Sequence, residues 1–126
     1  MWLSNLKYKK RSQEIQVPRV RFLGEQDGPP ERELKDKLKD IFQLDQSVNT
    51  AYLAKVIYGE ESSVIVALCL KIRFKTDPGL VEKVGRTFAS MFGQQEHMDI
   101  LFLSDDQESE LAKVCPPFFI INDRSG

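Results

Sequence analysis

Four stretches of the chain alternate apolar with polar side chains or are rich in β-forming residues, and each predicts a strand. They lie at residues 15–22, 51–58, 64–74 and 98–103. Pro18 falls inside the first stretch and confines that strand to an edge or a bulge. Only five polar residues separate the second stretch from the third, so these two strands are expected to form an antiparallel hairpin.

A first helix is predicted after the turn at Asp27-Gly28, with Pro30 suited to the first helical position. Its apolar side chains recur at helical spacing and define one face: Leu34, Leu38, Ile41 and Phe42. On the other face, Glu31 stands four residues before Lys35. This spacing predicts an exposed ion pair between the two.

Two further helices follow from start and stop signals. Pro78 begins a second helix, which ends at Gly93, a residue suited to a left-handed stop. Gly85 within that helix costs stability relative to alanine, and we therefore expect close packing there. Ser104 has capping-box spacing to Gln107, which predicts a short third helix.

The predicted order is β-α-β-β-α-β, followed by the short C-terminal helix and an apolar tail. This order predicts an α+β, ferredoxin-like antiparallel sheet with both main helices on one face. Residues 15–126 form a single domain in this interpretation. Residues 1–14 form a basic N-terminal segment that can add an edge strand.

Composition and charge narrow the function classes. The chain has 126 residues, of which 41% are hydrophobic and 29% charged, as in one globular domain. Its formal net charge of −1 lacks the basic excess of a general nucleic-acid binder. The charge is nevertheless uneven, since residues 1–21 are basic and residues 104–111 acidic. Two isolated cysteines and the lack of an apolar run of about 20 residues predict a cytoplasmic protein without a membrane span.

No catalytic, cofactor or metal constellation is expected. His97 is the only histidine, and with Glu96 and Asp99 it falls short of a zinc ligand set. Cys115 is the better of the two candidate nucleophiles, but its surroundings lack the cations that would activate a thiol. The acidic pair at residues 105–106 fits the start of a helix.

Nucleic-acid and phosphate sites are not expected either. The chain has neither of the common glycine-rich phosphate loops. The third strand lacks the aromatic side chains with which RNA-recognition domains of the same element order stack bases.

One face of the predicted sheet is more apolar than a solvated face should be, which indicates contact with something. Its candidate residues are Leu53, Ile65, Ala67, Cys69 and Leu101, with Phe118 and Phe119 as lid or anchor. Two interpretations stay open. Either residues 118–121 or 2–6 fold back over this face, or a protein partner or second copy covers it.

Residues 17–119 resemble the C-terminal domain of the SseB (enhanced serine sensitivity) family of bacterial proteins. The resemblance lies in the residues before the proline turn, at the hairpin, in the fourth strand and at the closing Pro-Pro-Phe-Phe: 20–24, 48–54, 98–103 and 116–119. It implies a stand-alone SseB C-terminal domain in a bacterial cytoplasm. It supplies no enzyme activity, cofactor or catalytic residue.

The sequence therefore leaves two functions open. The first is a non-catalytic interaction or regulatory module with a protein partner or as a homodimer. The alternative is a sensing domain of ACT-like architecture for serine or a related amino acid, which rests on fold analogy and on the family's serine phenotype.

Overall fold

The computed structural model of the protein describes residues 19–73, 78–93 and 95–121. The elements follow in this order: β1 (Val20–Glu25), α1 (Pro29–Asp45), β2 (Val48–Tyr58), β3 (Ile65–Ile72), α2 (Pro78–Phe92), β4 (Asp99–Phe102), α3 (Asp105–Ala112) and β5 (Phe119–Ile120). The N-terminal segment, residues 1–14, lies outside the described residues. No helix within the described ranges is long and apolar enough to cross a membrane.

The five strands form one mixed sheet. Strands β1 to β4 lie side by side in sequence order, and β5 pairs with β2. The β3–β4 pair is parallel, whereas β2 is antiparallel to β1, β3 and β5. The α+β class and the β-α-β-β-α-β order are confirmed. The strand arrangement differs from the ferredoxin-like antiparallel sheet, since β1 and β2 are direct neighbours instead of being split by another strand.

The path of α1 explains this arrangement. β1 pairs only with residues 54–58 of β2, and β5 pairs with the other end of β2 at residues 50–51. Lys35 in α1 contacts Glu25 at the end of β1, and Phe42, two turns later, contacts Phe119 in β5. The helix therefore continues the direction of β1 along the sheet. The chain then enters β2 from its far end, antiparallel to β1.

Both long helices pack on one face of the sheet, as predicted. We call it the α1/α2 face. Its buried side chains come from both helices and from the strands: Leu34, Leu38, Phe42, Leu80, Val84, Phe88, Val48, Ala51, Leu53, Val66, Leu68, Leu70 and Phe119. The β3 residues alternate with a second set that points to the opposite face, as the period of a strand requires.

The opposite face, which we call the α3 face, carries a second apolar cluster. Strands β2 and β3 contribute Tyr52, Ala54, Val56, Ala67 and Cys69. They are covered by Leu103, which follows β4, by Leu111 of α3 and by Cys115, which follows α3. The sheet is thus buried on both sides between two helical layers.

The predicted start of α2 at Pro78, its stop at Gly93 and the capping box of α3 are confirmed, whereas α1 begins at Pro29, one residue before the expected Pro30. The Ser104 hydroxyl accepts from the Gln107 amide at 3.1 Å, and the Gln107 side chain accepts from the Ser104 amide at 3.0 Å, which completes the capping box of α3. Gly93 after α2 has φ +88°, the expected left-handed stop. The expectation of close packing at Gly85 is wrong, because a Cβ there would meet nothing beyond its own helix within 4 Å.

Candidate interaction surface

Four of the predicted partner-face residues lie together on the α3 face: Ile65, Ala67, Cys69 and Leu101. Ala67 and Cys69 have no exposed surface, because they pack in one cluster with Leu111 of α3. Ile65 and Leu101 lie at its margin and are half-buried. The apolar face thus has a covering that the sequence interpretation did not consider, namely the third helix.

Leu53 does not share this face. It pairs with Leu68 across β2 and β3, and both side chains belong to the core under α1 and α2. Placing Leu53 with Ile65 was therefore wrong. The reason is that β2 is buried on both sides, so its apolar run carries no polar alternation to show which residues face which layer.

Phe118 and Phe119 also lie on the α1/α2 face. The Phe118 amide donates to the Ala51 carbonyl at 2.8 Å, and Phe119 pairs with Ala51 in the sheet. Ring centroids of Phe118 and Phe119 lie 6.4 and 5.6 Å from that of Phe42. The tail is therefore an anchor in the core beneath α1, and it does not cover the α3 face.

One carboxylate fixes α3 to β2. Glu108 Oε2 accepts hydrogen bonds from the hydroxyls of Thr50 at 2.8 Å and Tyr52 at 2.7 Å. Burial, and then the Glu108 carboxylate, raise the pKa of the Tyr52 hydroxyl. On the same face the Tyr58 hydroxyl donates to Asp99 at 2.9 Å, and burial raises its pKa as well. These carboxylates hold structural hydrogen bonds.

Both thiols are buried on the α3 face, and they are not joined in a disulfide. Burial raises the pKa of Cys115 to about 11, and the Glu25 carboxylate adds to the effect. Burial also raises the pKa of Cys69. A nucleophilic cysteine needs a lowered pKa and access to solvent, so the surroundings of both thiols oppose that role.

The turn between β1 and α1 holds a compact charged cluster. Lys35 Nζ lies 2.6 Å from Glu25 Oε2 and 3.4 Å from Asp27 Oδ1. Arg32 Nη2 lies 3.2 Å from Asp27 Oδ2. The hydrogen bond from Arg32 is the main cause that lowers the pKa of Asp27 to about 2.

This cluster corrects the expected pairing of Lys35 with Glu31 on an exposed helix face. Both side chains are buried. Lys35 instead contacts Glu25 and Asp27, and Glu31 accepts a hydrogen bond from Gln26 at 2.7 Å. The cluster ties the start of α1 to the end of β1, and every charged group in it has a partner within the cluster.

The remaining polar candidates stay apart. The described part of the chain contains no group of three His, Cys, Asp or Glu side chains that could hold a metal ion. His97 is exposed, whereas Asp99 accepts the Tyr58 hydrogen bond. Asp105 lies in the first turn of α3 and pairs with Lys71 at 3.2 Å.

A groove of about 340 Å³ runs between the outer side of β1 and the end of α3. We call it the β1–α3 groove. It is lined by Val20, Arg21, Phe22, Leu23, Glu110, Lys113 and Val114. Leu23 and Val114 are 45% and 44% exposed, so two large apolar side chains meet solvent in the same depression.

A second groove of about 340 Å³ lies between α1 and β5. We call it the tail groove, and its lining is Lys39, Asp40, Gln43, Phe118, Phe119 and Ile120. Ile120 is 64% exposed, but the two aromatic side chains of this lining, Phe118 and Phe119, pack in the core. Leu44 and Phe102 are also exposed, and neither lines one of the two grooves. Of these two grooves in the described part of the chain, the β1–α3 groove is the one that combines two exposed apolar side chains.

Comparison with protein families matches residues 20–120 to the SseB protein C-terminal domain. The match begins at the first residue of β1 and ends at the last residue of β5. The chain belongs to the SseB C-terminal domain family. The resemblance drawn from the sequence is thus confirmed for the family, and the SseB domain comprises all five strands and three helices. Neither the curated proteins nor the solved structures include a match to the chain.

Sequence reasoning missed the residues of the β1–α3 groove. Leu23 follows Phe22 and breaks the alternation of β1, and this break was a usable signal of a bulge. Val114 carries no comparable signal, because its exposure depends on where α3 ends against β1. The predicted face was chosen by apolar content, and that criterion finds buried surfaces as readily as binding surfaces.

Proposed function

We propose that this SseB C-terminal domain is a non-catalytic interaction module in a bacterial cytoplasm, and that it binds a protein partner. The observation that carries the proposal is the pair of half-exposed apolar side chains, Leu23 and Val114, in one groove. Single exposed apolar residues are normal on protein surfaces, whereas grouped ones are typical of interfaces. The reduced, buried thiols agree with a cytoplasmic setting.

The state of the polar groups supports a non-catalytic role. The thiols have raised pKa values, and the carboxylates of Glu108 and Asp99 accept hydrogen bonds from tyrosines. The charged cluster around Lys35 is internally paired. A catalytic acid, base or nucleophile needs a free position toward a substrate, and these groups are engaged in holding the fold.

The alternative function, amino-acid sensing of the ACT type, has two supports: the ferredoxin-like fold analogy and the family's serine phenotype. The sheet order β1-β2-β3-β4 with a parallel β3–β4 pair does not support the fold analogy, so the serine phenotype alone favours this alternative. We expect calorimetric titration of the protein with serine to release no heat of binding. A saturable heat would favour sensing over the interaction module.

Photo-crosslinking in the cells that naturally produce the protein tests the proposal. A benzophenone amino acid is placed, one position at a time, at the exposed apolar residues Leu23, Leu44, Phe102 and Ile120. Lys83, an exposed charged residue of α2, serves as the matched control position. We expect a discrete crosslinked protein at one or more apolar positions and none at Lys83.

Two results would contradict the interaction module. The first is the lack of crosslinks at all four apolar positions. The second is equal, diffuse labelling at those positions and at Lys83. A crosslink at Leu44, Phe102 or Ile120 without one at Leu23 would support an interaction module that does not use the β1–α3 groove.

A further inference from the structure

The outer edge of β1 presents backbone groups that β2 does not use. The Gly59 amide donates to the Arg19 carbonyl at 2.7 Å, and Arg21 lies opposite Ile57 in the register. In an antiparallel pair of strands, the backbone N–H and C=O groups of one residue bond to the partner strand, and those of the next residue point away from it. The backbone groups of Val20 and Phe22 therefore point away from β2, toward the groove.

A bulge ends this edge and redirects one side chain. The register shifts between Phe22 and Gly24, so that Phe22 and Leu23 together oppose Val56. Bulges at sheet edges terminate pairing and change the direction of a side chain. The available edge is therefore short, from Val20 to Phe22, and the exposed Leu23 stands at its end, in the same groove as Val114.

The charges beside this edge are unbalanced. Lys113 Nζ lies 3.4 Å from Glu110 Oε2, so these two groove residues neutralise each other. Arg21 is exposed, and no carboxylate of the described residues lies within ion-pair distance of it. Arg19 adds a second exposed cation next to the same edge. The groove consequently favours a partner that carries a carboxylate opposite Arg21.

A second copy of the chain does not satisfy this requirement. Antiparallel pairing of two β1 edges that matches Val20 with Phe22 places Arg21 opposite Arg21 of the second copy. Like charges directly opposite each other on neighbouring strands are destabilising. The geometry thus favours a different polypeptide over self-association at this edge.

We propose that the β1–α3 groove binds an extended acidic peptide segment of a partner protein, which adds as a strand to the outer edge of β1. Main-chain hydrogen bonds to Val20 and Phe22 supply the pairing, as in other cases of strand addition. One apolar side chain of the peptide packs between Leu23 and Val114. The carboxylate of the residue next to it in the peptide meets Arg21. This inference rests on the proposed interaction function and names the partner chemistry.

A random octapeptide library displayed on phage and selected against the full-length chain tests the inference. We expect enriched peptides to carry Asp or Glu next to a large apolar residue, without proline in the paired stretch. One enriched peptide, labelled with fluorescein, is then titrated against the protein by fluorescence anisotropy. Leu23→Asp and Arg21→Glu should each weaken its binding by about tenfold or more, since each removes one of the two side-chain contacts.

The matched control is Ile120→Asp, which places the same charge in the tail groove and should leave binding within about twofold. A charge exchange adds a positive readout: the Arg21→Glu protein should bind a peptide whose carboxylate is replaced by Lys better than it binds the original. Circular dichroism of each variant verifies folding. Peptide-induced NMR shifts should appear at the amides of Val20 and Phe22.

Several results would overturn the inference. If the selected peptides show no preference for Asp or Glu, the partner is not acidic. If the peptide-induced NMR shifts are confined to residues 99–102, the peptide binds at the edge of β4 instead. Amides of Val20 and Phe22 that are protected from exchange without peptide would mean that another part of this chain fills the edge. A concentration-dependent dimer abolished by Leu23→Asp would identify a second copy as the occupant. An empty selection together with crosslinks at Leu44, Phe102 or Ile120 would reject this inference and leave the interaction module standing.

Discussion

The two faces of the sheet are closed by different kinds of contact. On the α1/α2 face, leucines and phenylalanines from two long helices pack against β3, and the rings of Phe42 and Phe119 lie 5.6 Å apart. On the α3 face, one eight-residue helix covers small or polar-tipped side chains such as Ala67 and Tyr52. The first face relies on apolar area, and the second depends on a few directed hydrogen bonds.

This difference indicates that one face of the sheet provides most of the stability and that the other determines the position of α3. Apolar burial is non-directional and scales with area, so the α1/α2 face supplies most of the stability. Hydrogen bonds contribute less but fix position, so Glu108 determines where α3 sits. Because α3 forms one wall of the β1–α3 groove, we expect the less stable layer to be the one that shapes the candidate binding surface.

The largest expected effect is on the α1/α2 face. Phe42→Ala should lower the free energy of unfolding by about 3–5 kcal/mol, because Phe42 is fully buried and contacts both tail phenylalanines. Urea denaturation measures this loss. Leu44→Ala, which truncates a side chain that is 86% exposed, serves as the control and should change stability by about 0.5 kcal/mol or less. Equal losses in the two variants would contradict the description of the α1/α2 face.

A smaller effect is expected when the anchor of α3 is removed. Glu108→Ala leaves the hydroxyls of Thr50 and Tyr52 without their acceptor and should cost about 1–3 kcal/mol. Hydrogen exchange should become faster in α3 while α1 keeps its protection. Tyr52→Phe in the Glu108→Ala background should cost less than Tyr52→Phe alone, since the bond is already lost. Additive losses would show that the hydroxyl and the carboxylate act independently.

Alkaline pH should weaken the α3 face selectively. The pKa of Cys115 is raised to about 11 by burial, and those of Cys69, Tyr52 and Tyr58 are raised too. Below the ordinary thiol pKa, these thiols and tyrosine hydroxyls are protonated in both the folded and the unfolded chain. As pH rises from about 9 to about 11, the unfolded chain ionises first, so stability falls.

The slope of unfolding free energy against pH measures this effect. Cys115→Ala should make the slope shallower, because one group with a raised pKa is gone. The matched control is Val84→Ala on the α1/α2 face, which should lower stability at every pH without changing the slope. An unchanged slope in the Cys115→Ala protein would show that this thiol is not linked to folding.

The smallest effect is a gain. Gly85→Ala should stabilise the protein by about 0.5–1 kcal/mol, because the site is open and alanine favours helices. Gly93→Ala is the informative counterpart, since its positive φ strains any L residue although the space is also open. Thermal denaturation compares the two. A loss of stability in the Gly85→Ala protein would point to a packing contact on the outer side of α2.

The elements themselves were predictable because their signals are local. The capping box of Ser104 and Gln107, the spacing of Leu34 and Leu38, and the alternation within β3 each lie within a few residues of one another. The family assignment rested on similar short stretches. Such signals depend on the backbone propensity of a segment and on which of its faces is buried. Both properties are largely determined by residues close together in the sequence.

The candidate surface was not predictable in the same way. Leu53 and Lys35 were assigned to the wrong surroundings, because both depend on partners distant in sequence or in another element. Lys35 lies in an otherwise exposed helical pattern, yet Glu25 and Asp27 lie close enough to pair it inside the fold. Leu23 became a surface feature only through the bulge that shifts its register against β2.

The sequence by itself determined the class, the element order and the family, since short-range periodicity and capping carry that information. Only the tertiary structure decided that β1 lies beside β2, that α3 covers the second face and that the tail anchors beneath α1. These outcomes depend on contacts between residues far apart in the chain, such as Phe42 with Phe119 and Glu108 with Tyr52. Such contacts leave no periodic trace, because their free energy depends on shape and distance between packed elements and not on the order of neighbours along the chain.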